Sequence, residues 1–431
     1  MELQTQTTQT GQSLCKPPEL ENGLKESKEA KAKSKPRIDT FDSLRFFLIA
    51  YIACGHFIKF ATDDDFVQKL IKQVNVVVGA FFVISGYVAA YTTTELGQRK
   101  YIAKRLDDNI GFFVSRIMSF WPLHFLVLLI FSPMFFWVDY VYSGTFVAVF
   151  HGLISTFLLQ AWFPLGAEMW NAPTWFLSSL AFCFMVLPHA LKVLAGQTKP
   201  QLRRTLVILT LLSLTSKFGY SYDMKAFHLW EGSLNAKSHP NYALFNSRRF
   251  SPLAAVLEVL MGATACRLVM LDTEEETNDT GSSLLPLVGV IGVIVLRTVG
   301  LLELNGMLLR AGLFLPCFII FLMRLHRETV GRDKCCKPVV KLLNVGVLKW
   351  LGSISFPIFV VHGPVGQIFY KKKIAKALFG GPLSRFPGHF AFYWLVVIAL
   401  SALLNKCFLQ RAWFSTLSKK LSDMLCKALS S

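Results

Sequence analysis

The first long apolar stretch of the chain reads Asp42-Ser-Leu-Arg-Phe-Phe-Leu-Ile-Ala-Tyr-Ile-Ala-Cys-Gly-His56. Arg45 and His56 lie eleven residues apart within it, and at about 100° per residue such a spacing returns a side chain to nearly the same helix face. At about 1.5 Å per residue the two lie roughly 16 Å apart along the axis. A helix here carries a fixed charge near one membrane face and an imidazole deep in the lipid layer. Ionisable groups at such depth are costly, which makes both residues candidates for a functional site.

Similar apolar runs recur along most of the 431 residues, 53% of which are hydrophobic. They predict an all-α, polytopic membrane protein, because helices satisfy their backbone hydrogen bonds within the lipid layer. The runs are too long and too uniformly apolar for the alternating strands of a membrane barrel. The candidate segments are 42–60, 74–94, 117–137, 141–162, 175–195, 204–219, 252–271, 284–302, 306–323, 347–369 and 389–409.

Charged loops predict how these segments cross the bilayer. Three loops are rich in Lys and Arg and are therefore expected in the cytosol: 96–116, 196–204 and 324–346. With a cytosolic N-terminus, this requires that one segment between 117 and 195 fails to cross. The weakest is 141–162, which contains His151, two glycines and a glutamine. We therefore expect about ten transmembrane helices, or eleven if 141–162 spans, and two cytosolic termini. The basic loop 371–388 then lies outside, against the usual charge bias.

The formal net charge is +18, from 45 basic and 27 acidic residues. In a membrane protein this excess is expected on the cytosolic side, next to the lipid bilayer, so no nucleic-acid partner is predicted. Nine scattered cysteines show no zinc or disulfide spacing, and no metal site is predicted. Residues 1–36 are polar and predict a disordered cytosolic tail, 37–410 the transmembrane domain, and 411–431 a basic cytosolic tail.

Two histidines and one arginine have competing interpretations. His56 could take a proton from an acceptor hydroxyl, or it could be a buried histidine bonded to a helix carbonyl. Arg45 could hold a phosphate or orient an acceptor, although pairing with Asp42 at the interface explains it as well. His362 lies about as far into its segment as His56 does into its own, so the two could flank one cavity or be aligned by chance.

Arg116 begins the third span at the end of a basic loop that also contains Lys104 and Arg105. These side chains could bind a phosphorylated ligand, although topogenic charge explains most of the loop. Glu258 lies inside an apolar span and needs a cationic or hydrogen-bonded partner, which a structural ion pair would supply equally well. Trp175, taken alone, has the ordinary features of an interfacial tryptophan.

Six stretches follow one another along the chain. They are Asp42–His56, Phe81-Phe-Val-Ile-Ser-Gly-Tyr87, Arg116-Ile-Met-Ser-Phe-Trp-Pro122, Asn171-Ala-Pro-Thr-Trp-Phe-Leu-Ser178, Pro252…Glu258…Gly262 and Ile354-Ser-Phe-Pro-Ile-Phe-Val-Val-His-Gly-Pro364. In this order they resemble the acyltransferase 3 family of membrane acyltransferases, over roughly residues 37–410.

The resemblance implies a fold of about ten helices that transfers an acyl group, most often a short one such as acetyl, from cytosolic acyl-CoA to a hydroxyl. The acceptor class stays open among carbohydrates, lipids and small molecules. Acyl-CoA would be a co-substrate, and no bound cofactor is expected. The resemblance makes His56 the catalytic histidine with Arg45 as its paired basic residue, and assigns the donor to Arg116 with Arg105 and Lys104 nearby. The substrate cavity would be lined or supported by Asn171, Trp175, Ser178, Glu258 and His362, with Ser178 and Asn171 as the first candidates for oxyanion donors.

The sequence departs from the family pattern at two positions. Ser119 stands where the family has a second arginine after Arg116, and Leu180 stands where it has a glutamate. The first change removes a bidentate phosphate contact, which Arg105 or Lys104 could replace. Two other functions therefore stay open: a non-catalytic relative that lacks turnover, and a proton-coupled transporter of small solutes that uses the buried Arg, His and Glu residues.

Overall fold

A computed structural model describes residues 35–223, 242–278, 281–331 and 337–430. These residues form helices joined by loops, with no strand among them, so the predicted all-α class is confirmed. Apart from its last two residues, the tail predicted at 1–36 lies outside the described residues. The helices are α1 Thr40–Phe57, α2 Asp65–Ile71, α3 Val74–Thr93, α4 Ala103–Leu106, α5 Asn109–Met118, α6 Trp121–Thr156, α7 Trp175–Gly196, α8 Lys199–Asp223, α9 Tyr242–Arg249, α10 Pro252–Met270, α11 Glu274–Asn278, α12 Leu284–Thr298, α13 Gly306–Leu309, α14 Leu315–Val330, α15 Pro338–Leu343, α16 Gly346–Ser353, α17 Ser355–Tyr370, α18 Lys372–Phe379, α19 Pro387–Leu404 and α20 Ala412–Ser430.

Several described helical segments are long and apolar enough to cross a bilayer. The seven are Thr40–Phe60, Asp65–Thr93, Trp121–Thr156, Ala172–Gly196, Ala243–Met270, Gly306–Val330 and Pro387–Leu409, and an eighth is the α16–α17 pair, which bends by 63°. The predicted segments 204–219 and 284–302 fall on α8 and α12, which are not in this set; α12 has 15 residues. The ten-span count and the side of each terminus therefore stay predictions.

Helix α6 is a hairpin and not one straight rod. Gly144 has φ 83° and ψ 172°, which interrupts the helix in a region of backbone space that favours glycine. Twelve residues of straight helix extend about 18 Å, yet His151 Nδ1 lies 2.8 Å from Asp139 Oδ2. Trp121 Nε1 likewise donates to the Thr156 carbonyl at 2.9 Å. The chain thus folds back at Gly144, and the returning arm is shorter than the hydrocarbon core of about 30 Å, which favours the prediction that 141–162 does not span.

Helices α3 and α10 cross with their backbones in contact. A Cβ added at Gly86 would lie 1.8 Å from the Val259 carbonyl oxygen, and one added at Gly262 would lie 1.9 Å from that of Val83. Membrane helices use such small residues to approach closely, because dispersion contacts then replace a hydrophobic driving force. Both glycines belong to the stretches quoted above, and their crossing fixes the helix that forms one wall of the candidate site.

Arg267, on α10, holds the loop that follows α3. Its side chain is fully buried, and its guanidinium donates to Thr94 Oγ1 at 2.8 Å, to the Glu95 carbonyl at 2.8 Å and to the Gln98 carbonyl at 2.7 Å. These bonds satisfy the terminal nitrogens of the guanidinium and offset the cost of its burial, while Nε has no partner among the described residues. The sequence analysis missed this residue, which fixes the start of the basic 96–116 loop.

Candidate active site

One face of α1 lines a cavity of about 580 Å³, called the main cavity here. Arg45, Ile49, Ile52 and His56 all contribute to its wall, as the eleven-residue spacing predicted. Much of the wall is apolar and comes from α3, α7 and α17. A ligand inside the cavity would therefore contact several helices at once.

His56 contacts His362 at the wall of this cavity, and His362 itself is fully buried behind the wall. Nδ1 of His56 lies 3.1 Å from Nε2 of His362, and the two rings stack with centroids 5.3 Å apart. The His56 side chain retains a large exposed fraction, and it faces the cavity. The two imidazoles are therefore in direct contact, but only His56 lines the cavity; His362 supports it from behind.

The backbone of α17 determines which nitrogens carry the protons. Nδ1 of His362 lies 2.8 Å from the Phe359 carbonyl and 3.2 Å from the Ile358 carbonyl. Carbonyl oxygens only accept hydrogen bonds, so this nitrogen is the donor. In the neutral imidazole, Nε2 of His362 then accepts from Nδ1–H of His56. This order leaves Nε2 of His56 with its lone pair.

A second cavity, of about 430 Å³, contains the basic residues that the sequence analysis assigned to the donor. Lys104, Arg105 and Arg116 line it, and we call it the basic pocket. Arg116 and Ser119 line both the basic pocket and the main cavity. The two cavities are therefore neighbours that share one wall.

Thr92 brings two of these cations together. Arg116 Nη2 donates to Thr92 Oγ1 at 2.7 Å, and Arg105 Nη1 donates to the Thr92 carbonyl. Neither arginine forms an ion pair with a carboxylate in the described ranges. Paired guanidinium groups with unneutralised charge suit phosphate oxygens, which they contact through planar, bidentate hydrogen bonds.

Arg45 has both of the features considered for it. Its Nη1 lies 3.1 Å from Asp42 Oδ1, the interfacial ion pair, and its side chain also lines the main cavity. It lies about three helical turns from His56. This places its charge away from the imidazole.

Three residues of the Asn171–Ser178 stretch have different positions. Trp175 lines the main cavity. Asn171 Nδ2 donates to the Val360 carbonyl at 2.8 Å, and Ser178 Oγ accepts from the Ala161 backbone at 3.1 Å, with both side chains buried. Neither belongs to the cavity wall. They support the wall, and the geometry does not favour them as oxyanion donors.

Glu258 lies in a buried ion pair with Arg310, on the π-helical turn Arg310–Phe314. Their side chains are 0% and 4% exposed, and neither lines the main cavity. This is the structural pair that the sequence analysis considered. A proton relay through Glu258 would have no open path to His56 along this cavity.

Several polar residues of the cavity wall were not predicted from the sequence, and three of them stand out. The Asn75 side chain, at the start of α3, faces the cavity and has no hydrogen-bond partner among the described residues. Arg249 Nη2 donates to Glu168 Oε1 at 2.7 Å, and both side chains line the same cavity. Asn75 could have been predicted, because it is a polar residue inside an apolar run. The Arg249–Glu168 pair had none, because 81 residues separate its partners.

The comparison with known families agrees with this arrangement. The acyltransferase 3 family model, described as an acyltransferase domain, matches residues 38–406. The chain belongs to the acyltransferase 3 family. No curated protein and no solved structure matches it.

The two departures from the acyltransferase 3 pattern lie on the cavity walls. Ser119 Oγ donates to the Arg116 carbonyl at 2.6 Å, and its small side chain stands at the boundary of the two cavities. Leu180 lines the main cavity, where it adds to the apolar surface. Arg105 lies in the basic pocket beside Arg116, which supports the expectation that it replaces the arginine missing at Ser119.

Proposed function

We propose that this protein is a multi-pass membrane acyltransferase that moves a short acyl group, such as acetyl, from cytosolic acyl-CoA to a hydroxyl of a carbohydrate, lipid or small-molecule acceptor. Family membership supports acyl transfer. The observation that carries the choice of donor is the junction of the basic pocket with the His56 cavity at Arg116 and Ser119.

In this proposal the phosphates of CoA bind Lys104, Arg105 and Arg116. The pantetheine arm passes Ser119 and follows the α1 stripe toward His56, a path of roughly 16 Å measured from Arg45. Apolar side chains on this path, such as Ile49 and Ile52, would contact the acyl chain. Holding donor and acceptor in one cavity supplies the proximity that an uncatalysed encounter lacks.

His56 acts as the general base. Its Nε2 takes the proton of the acceptor hydroxyl while that oxygen attacks the thioester carbonyl carbon. The tetrahedral intermediate then expels the CoA thiolate, which recovers the proton from His56, so the products are the acyl ester and CoA thiol. His362 holds the tautomer that this step requires. The N–H groups that would stabilise the oxyanion of this intermediate are the Asn75 amide and the Trp175 indole, since both residues lie on the cavity wall.

Replacing His362 with leucine is expected to lower kcat for acyl transfer by about 10- to 100-fold, because His56 loses a hydrogen bond to its charged form worth about 1.5–3 kcal/mol. The KM for acyl-CoA should stay unchanged, since His362 lies away from the basic pocket. His362→Gln should recover much of the rate, because its amide oxygen accepts from the His56 Nδ1–H. Equal losses in the leucine and glutamine variants would contradict the tautomer role.

The donor assignment is tested by binding of acetyl-CoA and CoA to detergent-purified protein. Arg116→Ala is expected to raise the Kd by about 10- to 100-fold, because one charge-assisted phosphate contact is lost. Arg99→Ala is the matched control, since Arg99 is exposed in the same basic loop but does not line the pocket. His56→Ala should leave binding unchanged.

Absence of saturable binding to folded wild-type protein would reject the donor site and favour a non-catalytic relative. Solute flux across proteoliposomes without CoA consumption would favour the transporter.

A further inference from the structure

The C-terminal helix α20 begins where a candidate membrane span ends. The last span runs from Pro387 to Leu409, and α20 starts at Ala412. Two residues are too few to carry the chain away from the bilayer. Helix α20 therefore begins at the membrane surface, although the sequence predicted only a basic tail here.

One side of α20 presents an apolar stripe bordered by lysines. Trp413, Leu417 and Met424 fall within an arc of about 40°, and their side chains are 52%, 47% and 65% exposed. Lys420 and Lys427 lie within about 40° of Trp413, on the other side of the stripe. Apolar side chains next to lysines are typical of a helix that lies in the membrane interface, with its ammonium groups reaching the headgroups.

The other side of α20 packs against α5, the helix that carries Arg116. Phe414, Ser422 and Cys426 are partly buried there. Burial and the Asp108 and Asp423 carboxylates raise the pKa of the Cys426 thiol, and Asp108 is the N-cap of α5. Asp108 also lines the basic pocket. A displacement of α20 would therefore change the packing of α5 at the rim of that pocket.

We propose that α20 is an interfacial helix that binds anionic lipid headgroups of the leaflet next to the basic pocket. Helix α20 contains three lysines, Lys419, Lys420 and Lys427, and one acidic residue, Asp423. Its net positive charge therefore complements an anionic surface. Lipid is favoured over a protein partner because the preceding span already delivers the helix to the bilayer. The inference does not depend on the proposed reaction.

The test is hydrogen exchange of the full-length protein in nanodiscs, read on peptides that cover 412–430. With about three-tenths phosphatidylserine in phosphatidylcholine, exchange is expected to be about tenfold slower than in phosphatidylcholine alone. The triple change Lys419→Gln, Lys420→Gln and Lys427→Gln should remove this difference, and Leu417→Gln with Met424→Gln should weaken protection in both lipids. The charge-matched control is Lys371→Gln, Lys372→Gln and Lys376→Gln, away from α20.

Unchanged exchange in α3 and α10 will show that each variant is folded. Equal exchange of α20 in the two lipid compositions would overturn the proposal, as would a control triple that behaves like the α20 triple. Because the readout is protection and not turnover, failure here leaves the acyl-transfer proposal untouched. An α20 that stays unprotected on every lipid composition would instead indicate a protein partner.

Discussion

Replacing His56 with alanine is expected to lower acyl transfer by about 10²- to 10⁴-fold, the usual contribution of a general base. His56 is the group whose free nitrogen faces the cavity, because its other ring nitrogen is engaged by His362 at 3.1 Å. His362 cannot replace it, since the His362 side chain is fully buried and does not line the cavity. Without the base, the acceptor hydroxyl must attack while it still holds its proton.

The measurement is acetyl transfer by purified protein in proteoliposomes, once an acceptor has been found. Before that, slow hydrolysis of acetyl-CoA by the wild type serves as the assay, with water as acceptor. His189→Ala is the matched control, because His189 is exposed on α7 and lies away from both cavities. Full transfer by a folded His56→Ala variant would reject the mechanism. Equal losses in the His56 and His189 variants would mean that the loss is not specific to the site.

Gly262→Ala is expected to destabilise the fold by about 3 kcal/mol or more, at the upper end of overpacking effects. The added Cβ would meet a carbonyl oxygen of α3 at 1.9 Å. A flexible side chain could rotate away, but a backbone carbonyl inside a helix cannot move without separating the two helices. The same reasoning applies to Gly86, whose Cβ would meet the Val259 carbonyl.

The control variant, Gly292→Ala, is expected to raise the stability of the fold and not lower it. Gly292 lies in α12, and a Cβ there would meet no atom within 4 Å. Alanine at that position should stabilise the protein by up to about 1 kcal/mol, because glycine is a poor helix former. Thermal unfolding of the two variants in the same detergent compares them directly. A Gly262→Ala protein that melts at the wild-type temperature would show that α3 and α10 do not cross in contact.

The sequence predicted the parts of the site that depend on helical periodicity and on charge. The α1 stripe placed Arg45 and His56 on one cavity wall, and the basic loop placed Arg105 and Arg116 together, because spacing along a helix and topogenic charge act locally. The contact between His56 and His362 was only an open alternative, since equal depth in two helices does not determine which helices are neighbours.

Other features depended on backbone direction and tertiary packing. The hydropathy of α6 is the same whether the chain continues or turns back at Gly144, so the hairpin left no trace in the apolar pattern. Asn171 and Ser178 were predicted as cavity residues from their motif, but both side chains bond to backbone groups behind the wall. The partners of Arg267 are mostly carbonyl groups, which no residue pattern identifies.

The contact between the two histidines also affects when the site can form during synthesis. Its partners are 306 residues apart in the chain, and at about 5–20 residues per second a ribosome needs roughly 15–60 s to make the intervening chain. Until then the nascent protein lies in the membrane with α1 complete and no α17 to pair with it. In the proposed mechanism, catalytic competence therefore arrives near the end of translation, and prematurely terminated chains should be inert toward cellular thioesters.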